Sequence, residues 1–146
     1  CLEAVKSRYG LAKVTPVGKI FPLHCGAAGK VLLAHLPPSE RKKIIESKKL
    51  EKFTSKTIID SKKLKKDLEK IRLEGYAVSK GEREEGAYSI VAPIFDQNEK
   101  ITASLSISGP IFRLSEAELD RNVQAVWNTA AEISAILGKP KSEEQA

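Results

Sequence analysis

The sequence predicts an α+β fold, in which helices pack on an antiparallel sheet. Residues 102–110 alternate hydroxyl and apolar side chains before a Gly-Pro pair, which is typical of a strand with two different faces. An apolar segment at 87–95 precedes it across the turn-forming residues 96–99, so the two segments are expected to form a hairpin. Apolar residues at helical spacing in other segments complete the mixed pattern.

Composition fits one soluble globular domain with no membrane partner. The chain has 146 residues, of which 41% are hydrophobic and 30% charged, and no apolar run reaches the length of about 18 that spans a bilayer. The net charge of +6 comes from a lysine surplus between residues 41 and 80. Acidic residues are interspersed there and aromatics are only 5%, so we interpret this stretch as solvated helix faces that do not contact nucleic acid.

The chain contains no methionine, so we expect it to be a piece of a longer protein. Its start lacks the pattern of a signal peptide. The two cysteines, Cys1 and Cys25, give no disulfide framework, which fits a reducing cytoplasm. No motif predicts a cofactor.

Turn and cap signals divide the first half of the chain. Gly18 permits an unusual backbone angle in a loop, and the pair Pro37 and Pro38 separates two helices. We expect strands at 1–7 and 11–15 around a turn at 8–10, a loop at 16–22, and helices at 25–36 and 39–47.

The second half has stronger boundaries. Asp60 is a good N-cap for a third helix that Gly75 closes, and residues 115–118 form a capping box for a last helix ending at Gly138. We expect a strand at 76–79, a loop at 80–86, the hairpin, and core positions at Leu64, Leu68, Ile71, Leu119, Val123, Val126, Ala130, Ile133 and Leu137.

The strand at 102–110 carries the first candidate site. Ser104, Ser106 and Ser108 share one face, because successive side chains of a strand point to opposite sides. A row of small hydroxyls suits a small, oxygen-rich ligand, but no histidine or lysine base is visibly paired with it. The alternative is a sheet with one solvated face, and both interpretations remain open.

Small residues at the start of the first helix form the second candidate site. Gly26, Ala27 and Ala28 leave backbone N–H groups and the positive end of the helix dipole accessible to a carboxylate. The alternative is close packing of the helix on the sheet, which also requires small residues. The spacing does not match a nucleotide phosphate loop.

Three other motifs favour structural roles. Cys25 lies where a helix dipole favours a thiolate, but adjacent His24 would diverge from it and His35 lies at the far end of the helix, so no catalytic pair is expected. Two histidines and two scattered cysteines do not supply a zinc site. We interpret the acidic loop at 82–85 as a solvated turn.

Taken together, the motifs resemble the C-terminal effector-binding domain of the IclR family of bacterial transcription regulators. The resemblance runs over residues 1–138, with residues 139–146 as a polar tail. It implies a GAF/profilin-like curved antiparallel sheet with flanking helices, a pocket for a small organic acid, and a homodimer or homotetramer. The family's DNA-binding winged helix-turn-helix is absent from this chain, and the first strands of the domain are expected to be truncated. The matching motifs are residues 22–34, 57–60, 71–78, 85–86, 92–96, 106–110 and 130–134.

The resemblance also implies ligand-binding residues. The helix-start donors correspond to Ala27 and Ala28 beside Gly26, and the hydroxyl partners correspond to Ser106 and Ser108. Two positions depart from the family pattern.

Where relatives often carry an acid and a cysteine, this chain has Ser79 and Ser89. Both can bond a ligand, and loss of the acid predicts a pocket that accepts an anion more readily, with a different effector. Alternatively, Glu82 in the loop supplies the missing charge.

We therefore predict a cytoplasmic ligand sensor that performs no reaction on its ligand. Binding is expected to order residues 79–88 and to change how domains pair, with DNA contacted only through the missing N-terminal domain. One alternative is an oligomerisation module with a vestigial pocket. Another is an enzyme using Cys25 or a pocket serine as nucleophile.

Overall fold

The protein combines helices with a three-stranded antiparallel sheet, as the α+β prediction required. The computed structural model describes residues 1–5, 7, 15–47 and 50–139, and the elements below belong to these residues. In chain order they are α1 (Ala27–His35), α2 (Pro38–Ile45), α3 (Ser61–Glu74), β1 (Ala77–Lys80), β2 (Ala87–Phe95), β3 (Ile101–Pro110), a 3-10 turn (Ile111–Arg113) and α4 (Glu116–Ile136).

The strands lie in the order β1-β2-β3, and both pairings are antiparallel. The predicted hairpin of β2 and β3 is therefore confirmed. Its register is regular from Ala87, opposite Pro110, as far as an irregularity at Ile94 and Phe95. Residues two apart on each strand share a face, so this register decides which side chains meet across the sheet.

Helix α4 packs on one face of the sheet. Tyr88, Ile90, Ala92 and Ile94 alternate along β2 and form a core with α4. The apolar face of β3 joins this core, as the alternation predicted. The α4 members are buried Val126 and Ala130, with Leu119, Val123 and Ile133 partly buried, and the β3 members are Ala103, Leu105 and Ile107.

Helices α1 and α3 cover the opposite face. Ala77 of β1 and Val91 of β2 pack there against buried residues of both helices. The predicted α3 positions are all buried, so this prediction is confirmed. The helix residues of this core include Ala27, Val31, Leu33, Ala34, Leu64, Leu68 and Ile71.

Capping predictions are confirmed at both long helices. The Asp60 carboxylate accepts the N–H of Lys63 at 2.8 Å, and Gly75 ends α3 in the left-handed conformation. Ser115 and Glu118 cap each other's backbone N–H groups at the start of α4.

Several predicted boundaries were wrong. Residues 1–5 and 7 lie in no strand, because none of the three strands pairs with them and Cys1 instead contacts the turn at Gly18 and Lys19. The second predicted strand, at 11–15, falls mostly on residues 11–14, outside the described ones. Helix α1 begins two residues late because Gly26 has a φ of +77°, outside the helical region. Leu137 ends α4 and is 42% exposed, so it is no core position.

Candidate ligand-binding site

Three serines form a row across the sheet. Ser79 of β1 lies opposite Ser89 of β2, and Ser89 lies opposite Ser108 of β3. Ser106 lies two residues before Ser108 on the same face of β3, opposite Val91. Because Val91 packs against α1 and α3, strand alternation places the four hydroxyls on that same side of the sheet.

These serine hydroxyls have no hydrogen-bond partner among the described residues. Among the described residues, the side chains of Ser79, Ser89, Ser106 and Ser108 make no hydrogen bond with the protein. Exposure rises along the row, since Ser79 is buried, Ser89 half-buried and Ser108 exposed, as is Ser106. The row is therefore open to solvent at its β3 end.

The start of α1 is linked to the end of β1, at the Ser79 end of the row. Ser79 is the next-to-last residue of β1, and the loop that follows β1 reaches α1 through Glu82. Glu82 Oε2 accepts the backbone N–H of Gly26, which is the N-cap of α1, at 3.3 Å. Ala27 is buried and Ala28 is half-buried in the first turn. The loop after β1 thus joins the strand that carries Ser79 to the N-cap of α1.

A buried lysine completes the surroundings of Glu82. Lys30, in the first turn of α1, donates its ammonium to Glu82 Oε1 at 2.5 Å and to Asp67 Oδ2 of α3 at 2.7 Å. The Lys30 residue is only 2% exposed and Glu82 8%. Such a charge is tolerated in the interior because it is paired and hydrogen-bonded.

The backbone of Glu82 is also anchored. Its carbonyl oxygen accepts the hydroxyls of Thr57 at 2.6 Å and Thr54 at 3.0 Å, and the Cys25 thiol at 3.4 Å. The prediction of a solvated acidic turn was therefore wrong at Glu82, although Glu85 in the same loop is exposed. The buried position follows from Glu82's partners on two other segments, the start of α1 and the loop at 54–57.

Sequence reasoning missed Lys30, Asp67 and the two threonines as parts of this region. One signal was present, because Lys30 is the single charged residue between Ala27 and Ala34, in a segment that is otherwise buried or apolar. A lysine in such a position requires a carboxylate partner. The partners are 37 and 52 residues away along the chain, so the pattern did not identify them.

Close packing explains one of the small residues at the helix start. A Cβ at Gly29 would lie 2.6 Å from the carbonyl oxygen of Pro22 and 2.9 Å from that of Leu23. The packing interpretation therefore holds for Gly29. A Cβ added at Gly26 would lie 4.0 Å from the Cβ of Arg83, with no closer atom among the described residues.

Cys25 and His24 are not paired with each other. The Cys25 thiol donates to Glu82, whereas His24 Nε2 lies 2.9 Å from the carbonyl oxygen of Glu51. Burial raises the pKa of Cys25 above its ordinary value of 9.0, and the Glu82 carboxylate adds to the shift. The site therefore favours the thiol form over the thiolate that a nucleophile needs.

Two hollows flank the Glu82 loop and α3. One, of about 240 Å³, is lined by Ser55, Lys56, Gly81, Glu85 and Gly86. The other, of about 140 Å³, is lined by Lys30 and Asp67 together with α3 and β1 residues. Neither of these two hollows is lined by Ser79, Ser89, Ser106 or Ser108.

Within the residues that the structure describes, no group of three or more histidine, cysteine or acidic side chains is placed to hold a metal ion. In that same part of the chain, no helix combines the length and apolar character needed to cross a bilayer.

These features define an α+β domain in which a sheet with one hydroxyl-bearing face lies between helices. The chain belongs to the IclR family, since residues 1–135 match the family model for the bacterial transcriptional regulator IclR C-terminal region. The resemblance inferred from the motifs is thereby confirmed.

Named relatives are transcription regulators. The chain is 36% identical over 137 residues to the HTH-type transcriptional regulator KdgR of Escherichia coli K12, covering 94% of this chain and 52% of KdgR. It is 41% identical over 119 residues to the HTH-type transcriptional regulator BhcR of Paracoccus denitrificans, covering 82% of this chain and 43% of BhcR. The chain thus spans about half the length of the curated relatives it matches.

Solved structures agree on the fold. The IclR protein of Thermotoga maritima superposes with a TM-score of 0.85 at 35% identity, over 92% of this chain and 54% of that one. The C-terminal domain of Escherichia coli KdgR superposes with a TM-score of 0.77 at 38% identity, over 84% of this chain and 74% of that one.

Proposed function

We propose that this chain is the effector-sensing domain of a bacterial transcription regulator, and that it binds a small carboxylate metabolite. The observation that supports the proposal most is the register of Ser79, Ser89 and Ser108, whose hydroxyls lack partners among the described residues. Polar groups that converge on one face without bonding each other are suited to fixing a ligand's orientation.

The two parts of the proposed site recognise different ligand groups. Backbone N–H groups of Gly26, Ala27 and Ala28, at the positive end of the α1 dipole, suit a carboxylate. The hydroxyls of Ser106 and Ser108 donate and accept, so they suit hydroxyl or carbonyl oxygens elsewhere on the ligand. A small keto, hydroxy, sugar or aromatic acid satisfies both.

The domain assignment rests on the family. We assign residues 1–138 to the effector-binding domain and residues 139–146 to a polar tail, and the whole regulator reads DNA through a winged helix-turn-helix. The relatives' names, as HTH-type regulators, support this division. Such a regulator works in the bacterial cytoplasm and changes DNA binding only if the effector binds two packing states with different affinity.

The change in DNA binding acts through the pairing of copies of this chain, as a homodimer or homotetramer. Apolar side chains exposed on α4 support this helix as a contact surface: Trp127 is 42% exposed and Ile136 is 83% exposed. A pure oligomerisation module would keep these contacts and have no ligand.

The domain performs no reaction on the ligand. Cys25 keeps its proton, and its thiol donates a hydrogen bond to the backbone carbonyl oxygen of Glu82, whereas His24 contacts Glu51. The relatives' names as regulators support the same conclusion.

A thermal-shift screen tests the proposal. The 146-residue chain is heated with short keto acids, sugar acids and aromatic acids, each beside its neutral amide as a control. Because a ligand specific to the folded state raises the melting temperature, we expect one class of acid to raise it and the amides to leave it unchanged. Silence from every acid would reject the sensor in favour of the oligomerisation module.

A further inference from the structure

We infer that Glu82 is an internal competitor of the effector: its side-chain carboxylate occupies the position that the effector's carboxylate takes, so the effector binds by displacing it. The inference rests on the proposed sensor function and adds a regulatory step to it. It depends on where the two oxygens of Glu82 lie and on which groups they face.

Both oxygens of the Glu82 carboxylate have donors that suit any carboxylate. Oε2 accepts the N–H of Gly26 at the start of α1, and Oε1 accepts the ammonium of Lys30 in the first turn of the same helix. One donor is backbone and the other is a side chain held by Asp67 on its far side. The pair of donors therefore stays in place when Glu82 leaves, and a free carboxylate can take over both bonds.

The loop permits the side chain to leave without unfolding. Gly81 and Gly86 bound it, with φ values of +77° and +75° that other residues rarely adopt. The carbonyl oxygen of Glu82 is anchored by Thr54 and Thr57 independently of its carboxylate. Rotation of the Glu82 side chain thus breaks the bonds to α1 while the backbone bonds remain.

Displacement also offers a way to transmit binding. Arg83 follows Glu82 directly, and its guanidinium lies 3.9 Å from the ring centre of Phe21, in the segment before α1. This contact places Arg83 between the Glu82 position and the segment that leads into α1. In the wild-type protein, Glu82 occupies the proposed carboxylate position in most molecules. The effector's apparent affinity is therefore its intrinsic affinity multiplied by the fraction of molecules in which Glu82 has left.

Acetate is the probe for this competition. Glu82→Ala removes a CH2–COO⁻ group and retains the Cβ, so acetate has the size and charge of what is lost. We expect acetate to raise the melting temperature of Glu82→Ala by about 2 to 4 °C in a saturable way. The half-saturating concentration should be at least about tenfold lower than in wild type, because two charge-assisted bonds become available.

Matched controls separate this effect from salt and charge. Glu85→Ala removes an exposed carboxylate from the same loop and should respond to acetate no more than wild type does. Acetamide, the neutral isostere, and sodium chloride at equal ionic strength should not stabilise Glu82→Ala. An equal response of Glu82→Ala, Glu85→Ala and wild type to acetate would overturn the inference.

Glu82→Gln keeps the inference testable if the alanine variant does not fold. It preserves shape but weakens the bonds to Lys30 and Gly26, so its acetate response should lie between those of wild type and Glu82→Ala. If Glu82→Ala is unfolded at every acetate concentration and Glu82→Gln responds as wild type does, the inference is wrong.

The two proposals can fail separately. Suppose that acetate raises the melting temperature of Glu82→Ala but no metabolite acid raises that of wild type. This result would support the carboxylate position and reject the sensor. Stabilisation of wild type by one acid class, without any acetate response in the Glu82 variants, would support the sensor and reject competition by Glu82.

Discussion

The ammonium nitrogen of Lys30 lies 2.5 Å from Oε1 of Glu82, and this pair joins the first turn of α1 to the loop that follows β1. The two side chains are 3% and 10% exposed. Removing both charges from water is costly, and their mutual attraction together with the Asp67 contact offsets that cost. The pair therefore matters more for where the loop lies than for net stability.

Loss of Lys30 alone should be strongly destabilising. Lys30→Met leaves the Glu82 carboxylate buried without its cation, and we expect the free energy of unfolding to fall by about 3 kcal/mol. Urea denaturation measures the change. Lys65→Met is the control, because its pair with Glu46 is 49% exposed on both sides and should contribute less than about 1 kcal/mol. Equal losses in the two variants would contradict the role given to burial.

Gly29 should not tolerate a methyl group, although alanine favours helices. The added Cβ would meet the Pro22 and Leu23 backbone at 2.6 to 3.0 Å, and we expect Gly29→Ala to cost about 1 to 3 kcal/mol by urea unfolding. Gly86→Ala provides a comparison without contact, since no atom of the described residues lies within 4 Å of a Cβ added there. Its φ of +75° alone should cost about 1 to 2 kcal/mol.

A Gly29→Ala variant as stable as wild type would show that the 22–23 segment yields easily. The result therefore also measures how firmly the start of α1 is held in place.

Cys25 should react slowly with alkylating agents at neutral pH. Burial and the nearby Glu82 carboxylate raise its pKa, so little thiolate is present, whereas Cys1 is exposed. Iodoacetamide followed by peptide mass spectrometry should show Cys1 modified first by a wide margin. Modification of Cys25 as fast as Cys1 in the folded chain would favour the nucleophile alternative instead.

The same shift predicts a loss of stability in alkali. The folded-state pKa of Cys25 lies above 9.0, so the unfolded state releases its proton first as the pH rises past 9. Tyr88, with a pKa raised above 10.0 by burial, acts in the same direction. The free energy of unfolding should fall above pH 9, and Cys25→Ala should make that fall shallower. Unchanged slopes in the variant would exclude Cys25 as a contributor.

His35 should produce the opposite dependence in weak acid. Burial lowers its pKa below 6.5, and its Nδ1 lies 2.9 Å from the Val31 carbonyl oxygen while the ring contacts Phe95. Its stabilising contribution is complete above pH 6.5 and is lost as the pH falls through the lower folded-state value. Unfolding free energies at pH 7 and pH 5 measure the loss. His35→Asn keeps a donor to Val31 and should show a smaller difference.

Local signals predicted most of the fold because they act within a few residues. The Asp60 cap, the capping box at Ser115 and the alternation of β3 each depend on neighbours along the chain. The predicted strand at 1–7 was wrong because strand formation depends on a partner that is distant along the chain. A strand requires a partner strand, and none of the described strands lies beside that segment.

The candidate site was predictable only in part. Alternation placed Ser106 and Ser108 on one face, but the register that aligns Ser79, Ser89 and Ser108 depends on long-range pairing. The prediction of a solvated turn was wrong at Glu82, because three acidic residues near an arginine are typical of a solvated turn. Its burial is determined by residues such as Lys30 and Thr57, which are distant in sequence.

The serine row gives the most direct prediction about the ligand. With an acid identified by thermal shift, Ser106→Ala and Ser108→Ala should each weaken its binding by roughly 1 to 3 kcal/mol, because a bound ligand oxygen loses its partner. Titration calorimetry measures the change in affinity. Thr102→Ala is the control, since it lies on the same face of β3 but six residues from Ser108. Unchanged binding in the Ser106→Ala/Ser108→Ala double variant would mean that the ligand does not contact β3, and the proposed site would have to move.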